Sequence, residues 1–98
     1  MPAHVMLMKL TEDGPKAVKQ APERIEEGVK AFEAMGGKVL AFYATMGEYD
    51  YVTIGEGLSE EAALTYVLAL SAKGFVRTTT LEAYTPEQFA ACCARIPG

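Results

Sequence analysis

Two runs rich in β-branched and aromatic residues, Lys38-Val39-Leu40-Ala41-Phe42-Tyr43-Ala44 and Tyr51-Val52-Thr53-Ile54, flank the turn segment Thr45-Met46-Gly47-Glu48-Tyr49-Asp50. This hairpin constrains the fold more than any other stretch, because such residues suit a pleated surface. Gly47-Glu48 reads as a two-residue loop of type II′, whose first central position needs a positive φ that glycine adopts without steric penalty. That turn sets the register: Met46 faces Tyr49, Thr45 faces Asp50, Ala44 faces Tyr51, Tyr43 faces Val52 and Phe42 faces Thr53. With strict alternation, Val39, Ala41, Tyr43, Val52 and Ile54 share one face, and Leu40, Phe42, Ala44, Tyr51 and Thr53 share the other. Neither face is polar, whereas an antiparallel sheet commonly leaves one side to water. Both sides therefore call for cover.

The rest of the chain indicates what can supply it. Ala3 to Leu10 is an apolar run that reads as a central strand, and Thr11-Glu12-Asp13-Gly14-Pro15 reads as its exit loop. The next residues, 16–20, allow one helical turn. Pro22 opposes helix continuation from residue 18, so a helix is expected to start there. Ile25, Val29, Phe32 and Met35 follow at helical spacing, with Gly28 near the stripe for close approach to the sheet and Gly36-Gly37 as the stop. Ser59 is an N-cap, with Glu60 and Glu61 in the first turn where carboxylates suit the helix dipole. Ala63, Val67 and Leu70, flanked by Leu64 and Leu68, predict a broad buried face on this second helix. Phe75 to Tyr84 reads as a fourth strand. Thr85-Pro86-Glu87-Gln88 then carries the signature of a capping box, with Tyr84 and Phe89 placed for a hydrophobic staple. Phe89, Cys92 or Cys93, and Ile96 fall on one side of the last helix.

The order strand, helix, strand, strand, helix, strand, helix is the split βαβ pattern of a ferredoxin-like α+β fold, with a four-stranded antiparallel sheet and an added C-terminal helix. Two helices cover one sheet face. The other face is apolar and uncovered, which usually marks an interface. The expectation is a homodimer, or a higher oligomer, whose sheets pack face to face as a dimeric α+β barrel with any pocket inside it or at its rim.

Composition narrows the function classes. Half of the 98 residues are apolar, enough for one domain spanning 1–98 to build a core without metal or disulfides. The net charge of −4, with nine Lys and Arg among thirteen acids, lacks the basic stripe that nucleic-acid binding needs. Short, interrupted hydrophobic runs predict no membrane span, and the opening Met1-Pro2-Ala3-His4-Val5 has no signal-peptide pattern, so a cytoplasmic protein is expected. Adjacent Cys92 and Cys93 do not form a Cys-x-x-Cys motif and read as reduced helix residues. There is no Gly-rich phosphate loop, and Ser59, Ser71 and the cysteines have no recognisable base.

Several pieces resemble the GYD-domain family across nearly the whole chain. They are Leu7-x-Lys9-x-Thr11-x-x-Gly14, Pro22-x-Arg24, Gly36-Gly37-Lys38-Val39, Tyr43 followed by Gly47-Glu48-Tyr49-Asp50, Phe75-Val76-Arg77-Thr78-x-Thr80-Leu81, and Ala83-Tyr84-Thr85. The resemblance implies the dimeric α+β barrel and no particular activity. Two positions depart from the pattern: His4 stands where an aromatic residue is expected, and Gly57-Leu58-Ser59 replaces a Pro-Asp-Asp entry to the second helix. Gly47-x-Tyr49-Asp50-Tyr51 also looks like a local motif of the ligand-sensing domains of leucine-responsive-type regulators, which share this barrel. No helix-turn-helix accompanies it here.

The candidate ligand-binding residues are Tyr43, Asp50, Arg24, Arg77, Thr78, Thr80 and His4. Asp50 suits a general base or ligand anchor, but Asp at a turn is more often bonded to backbone. Arg24 and Arg77 match a carboxylate bidentately, either within the protein or on a ligand. Tyr43 with the Thr78/Thr80 pair would line an amphipathic pocket or pack a dimer seam. His4 is the only histidine, so no multi-histidine metal site is expected within a subunit; it could shuttle protons, though a strand-end surface place is the default. No cofactor is expected. The reading is a small-molecule-binding barrel, with or without a cofactor-free reaction, and its rival is an effector-sensing or assembly module.

Overall fold

The structure, a computed structural model, describes residues 3–11 and 18–98. Most of the predicted exit loop, and residues 16 and 17 of the expected helical turn, lie outside the described residues. The elements are β1 (Ala3–Leu10), a 3₁₀ turn (Val18–Gln20), α1 (Ala21–Ala34), β2 (Lys38–Ala44), β3 (Tyr51–Glu56), α2 (Glu60–Lys73), β4 (Val76–Ala83) and α3 (Pro86–Ala94). The four strands form one antiparallel sheet in the order β2-β3-β1-β4. This is the expected α+β, ferredoxin-like arrangement.

Alternation along the central strand decides the layering. His4, Met6 and Met8 of β1 point to the helices and are buried, while Ala3, Val5 and Leu7 point the other way and are half-buried. Thr53 and Gly55 of β3 join the helix-facing row, and the core closes over it with Phe32 of α1, Leu58, and Ala63 and Tyr66 of α2. Phe32 is the keystone at 1 % exposure, its ring edge-on to Tyr66 with centroids 5.1 Å apart. Burying such a ring contributes about 2–3 kcal/mol. The ring occupies space that side chains at Gly37 and Gly55 would fill. Gly28 faces α2 instead of the sheet: its carbonyl accepts the Tyr66 hydroxyl at 2.9 Å.

The hairpin keeps the expected register, Phe42 with Thr53, Tyr43 with Val52 and Ala44 with Tyr51. Two features differ from the sequence reading. The ladder shifts between Val39 and Ala41, so Leu40 is an extra residue in β2 and Val39 pairs with Gly55 on the helix-facing row. Strict alternation had put Val39 on the opposite face. The strands also end earlier than a two-residue loop requires, and Thr45–Asp50 is a wider connection. Gly47 has φ +107°, Met46 is fully exposed, and Thr45 N–H bonds the Asp50 carbonyl at 2.8 Å.

Helix ends follow their local chemistry. Ser59 Oγ accepts from Ala62 N–H at 3.1 Å. Thr85 and Gln88 form the reciprocal capping box, at 3.1 and 2.7 Å. α1 starts at Ala21, one residue before Pro22, whose missing N–H is harmless in the first turn. The broad buried face predicted for α2 is narrower than expected, with Ala63 buried but its flanks in the open. Leu64 and Leu68 of α2 are each 59 % exposed, and α3 buries none of its residues, leaving Phe89 and Ile96 in the open beside free, exposed Cys92 and Cys93. No helix among the described residues is long and apolar enough to cross a membrane.

Candidate functional site: a cleft between the helices and the sheet

The helix layer does not close fully on the sheet. Between α1, α2 and the ends of β1 and β4 lies a cleft of about 100 Å3. Its walls are mostly apolar, with Met8, Leu10, Ile25, Val29, Leu70 and Val76 among them. This is the opposite side of the sheet from the dimer barrel interior that the sequence pointed to. Ala21 and Gly28, the small residues of α1 on this side, lie in the cleft wall.

Two polar side chains in the cleft wall each have one buried atom without a partner among the described residues. Thr53 is buried in the sheet floor, and its Oγ1 has no hydrogen-bond partner among the described residues. Arg24 lies with its guanidinium carbon 3.3 Å from the centre of the Phe75 ring. Its terminal nitrogen donates to Gln20 Oε1 at 2.9 Å, while its Nε is buried and unpartnered among the described residues. Stacking on an aromatic face leaves the guanidinium edge free for in-plane hydrogen bonds. Lys73 and Glu27 also border the cleft. Tyr66 lies deeper, and burial pushes its phenol above the ordinary value of 10.0.

The other predicted site residues are dispersed. Asp50 sits at the end of β1, where Oδ2 accepts Leu10 N–H at 2.7 Å and its own N–H reaches the Met8 carbonyl at 2.8 Å. Tyr43 is exposed and, paired with Val52, lies on the face away from the helices. Arg77 shares that face through its pairing with Lys9, which in turn bonds Glu48 at 3.5 Å and lies over the Tyr49 ring. Thr78 pairs with Met8 on the helix-facing row.

His4 and Thr80 border a second, shallower recess with Glu60, Ala63, Leu64 and Glu82. His4 is only 5 % exposed, with Nδ1 unpartnered among the described residues, which corrects the strand-end surface place expected for it. β1 is central in the sheet, so its terminus is covered by β3, β4 and α2. Nearby, the Glu82 carboxylate holds the exposed Tyr84 phenol above its ordinary value. Among the described residues no group of three or more His, Cys, Asp or Glu is placed to hold a metal ion.

Thr53, Phe75 and Tyr66 were not singled out from sequence as cleft residues. Thr53 carried a signal, as a polar residue pairing with Phe42 in an apolar row. Phe75 did not, because its contact with Arg24 joins positions distant in sequence.

The architecture is that of a ferredoxin-like α+β protein with an appended C-terminal helix, and comparison with known proteins takes it one step further. The chain belongs to the GYD domain family, whose pattern it matches over residues 4–93. A curated relative from Thermus thermophilus, named glutamine synthetase and cystathionine beta-lyase binding protein, is 38 % identical over 84 residues, spanning 85 % of this chain and 88 % of the relative. The crystal structure of At3g17210 from Arabidopsis thaliana superposes with a TM-score of 0.51 at 17 % identity, covering 87 % of this chain and 95 % of that one. At that identity the likeness speaks for the fold alone.

Proposed function

We propose that this chain is a cytoplasmic binding protein that works as a homodimer and regulates a metabolic enzyme by direct contact. The observation that carries the reading is the uncovered sheet face: Val5, Leu7, Val52, Ile54 and Leu81 form an apolar row with no layer over it in the described chain. Such a row on a soluble protein marks an interface. It is self-complementary in the manner of an isologous dimer, sheet on sheet. The exposed apolar residues of α3 then remain for a different protein, and the name of the Thermus relative supports an enzyme as that protein.

Purified chain mixed with purified glutamine synthetase, and separately with cystathionine β-lyase, each from its own source organism, tests this by light scattering during gel filtration. The expected result is a complex with at least one enzyme, containing two copies of this chain per binding unit. A chain that runs as a monomer and leaves both enzymes unshifted overturns the reading.

A further inference from the structure

We propose that the cleft between the helices and the sheet is a binding site for a small organic acid, its carboxylate held by Arg24 and its apolar body lodged against Ile25, Val29, Leu70 and Val76. This goes beyond contact with an enzyme and does not depend on it.

Volume, wall chemistry and charge each restrict the ligand. A space of about 100 Å3 accepts a short branched chain or small ring of about six heavy atoms, given that a dry apolar cavity of about 150 Å3 binds benzene. Nucleotides and sugar phosphates are too large. The apolar walls favour a hydrocarbon body.

Charge at the mouth then selects the polar end. Arg24 and Lys73 supply two cations and Glu27 one carboxylate, which leaves one net positive charge and suits a monoanion better than a phosphate dianion. The Arg24 guanidinium is fixed by Phe75 on its face and Gln20 at one terminal nitrogen, and with Nε buried its terminal donors are the ones oriented for a ligand before it arrives. No carboxylate among the described residues pairs with it. Orienting donors in advance reduces the entropy lost on binding, and a guanidinium edge matches the two oxygens of a carboxylate.

The test uses 4-methylpentanoate and its neutral amide, two probes of nearly equal shape that differ in charge, titrated into the purified chain with amide resonances observed by NMR. The expected result is saturable shifts at Val29, Leu70 and Val76 with the acid, and binding about tenfold weaker or worse with the amide. Arg24→Gln should abolish that preference, while Arg24→Lys, which keeps charge but not the fork, should retain part of it. The wild-type comparison of acid with amide stands even where a variant folds poorly. Equal binding of the two probes, or no cleft shifts from the acid at several millimolar, overturns the proposal. Neither outcome bears on the enzyme complex, whose formation is measured separately.

Discussion

Asp50 Oδ2 takes the backbone N–H of Leu10 at 2.7 Å across 40 positions of sequence. Leu10 ends the central strand, and its N–H lies where the β1–β3 ladder has already stopped, at Met8 with Tyr51. The Asp50 carboxylate therefore extends by side chain a pairing that the backbone no longer provides. Hydrogen bonds to a charged acceptor are worth about 1.5–3 kcal/mol. Asp50→Ala should lower unfolding free energy by that amount in urea titrations, and Asp50→Asn, which keeps an acceptor oxygen, by less. Neither should alter binding of 4-methylpentanoate in the cleft.

Phe32 meets the sheet at Gly55. A Cβ on Gly55 would lie 2.6 Å from Phe32 Cζ, closer than carbon atoms approach, so one of the two must move. Overpacking of this kind costs about 1–3 kcal/mol. Gly55→Ala should destabilise the protein within that range, and Phe32→Leu in the same chain should recover part of the loss. Additive effects in the double-mutant cycle would show that the two positions do not press on one another.

The Tyr66 hydroxyl donates to Gly28 O, tying α2 to α1. Tyr66→Phe should cost about 1 kcal/mol at neutral pH. Its phenol is raised above 10.0 by burial, so the folded state holds the proton more tightly than the unfolded chain does. The stability linked to that difference is fully present below the unfolded value and is lost as pH rises through the folded one. Melting temperature measured from pH 8 upward should fall on the alkaline side in the wild type, and less steeply in Tyr66→Phe.

Thr53→Val tests the sheet floor. A buried hydroxyl without a partner has lost its water and gained nothing in exchange. Valine has nearly the same shape and suits a strand, so the substitution should leave the cleft intact and raise stability by about 1 kcal/mol. A drop in melting temperature would mean that the hydroxyl has a bond that the described residues do not account for.

Much of this fold is written locally in the sequence. The bounds of β1, the capping box at Thr85, the Ser59 cap and the pairing of Tyr43 with Val52 all depend on neighbouring residues, and each was legible. The phase of Val39 was not, because a bulge is a property of two strands together and Leu40 carries no mark of being the extra residue. Nor could burial of His4 be read from its place near the terminus, since it follows from β1 being central. The cleft was the least legible feature. Arg24 was recognised as a residue that could hold an anion, but its setting depends on Phe75, which topology alone brings beneath it.

The bulge at Leu40 lies in β2, which is an outer strand of the sheet. An outer strand with regular spacing is a template on which further strands can be laid without limit, as in a fibril. One surplus residue disturbs the spacing of its free N–H and C=O groups and increases the local twist, so an incoming strand finds no matching ladder. Growth by strand addition is discouraged there, while the apolar row on the flat side of the sheet stays available. In the dimer proposed above, association through that side would saturate once two copies had met, so a sticky surface would carry no hazard of open-ended assembly.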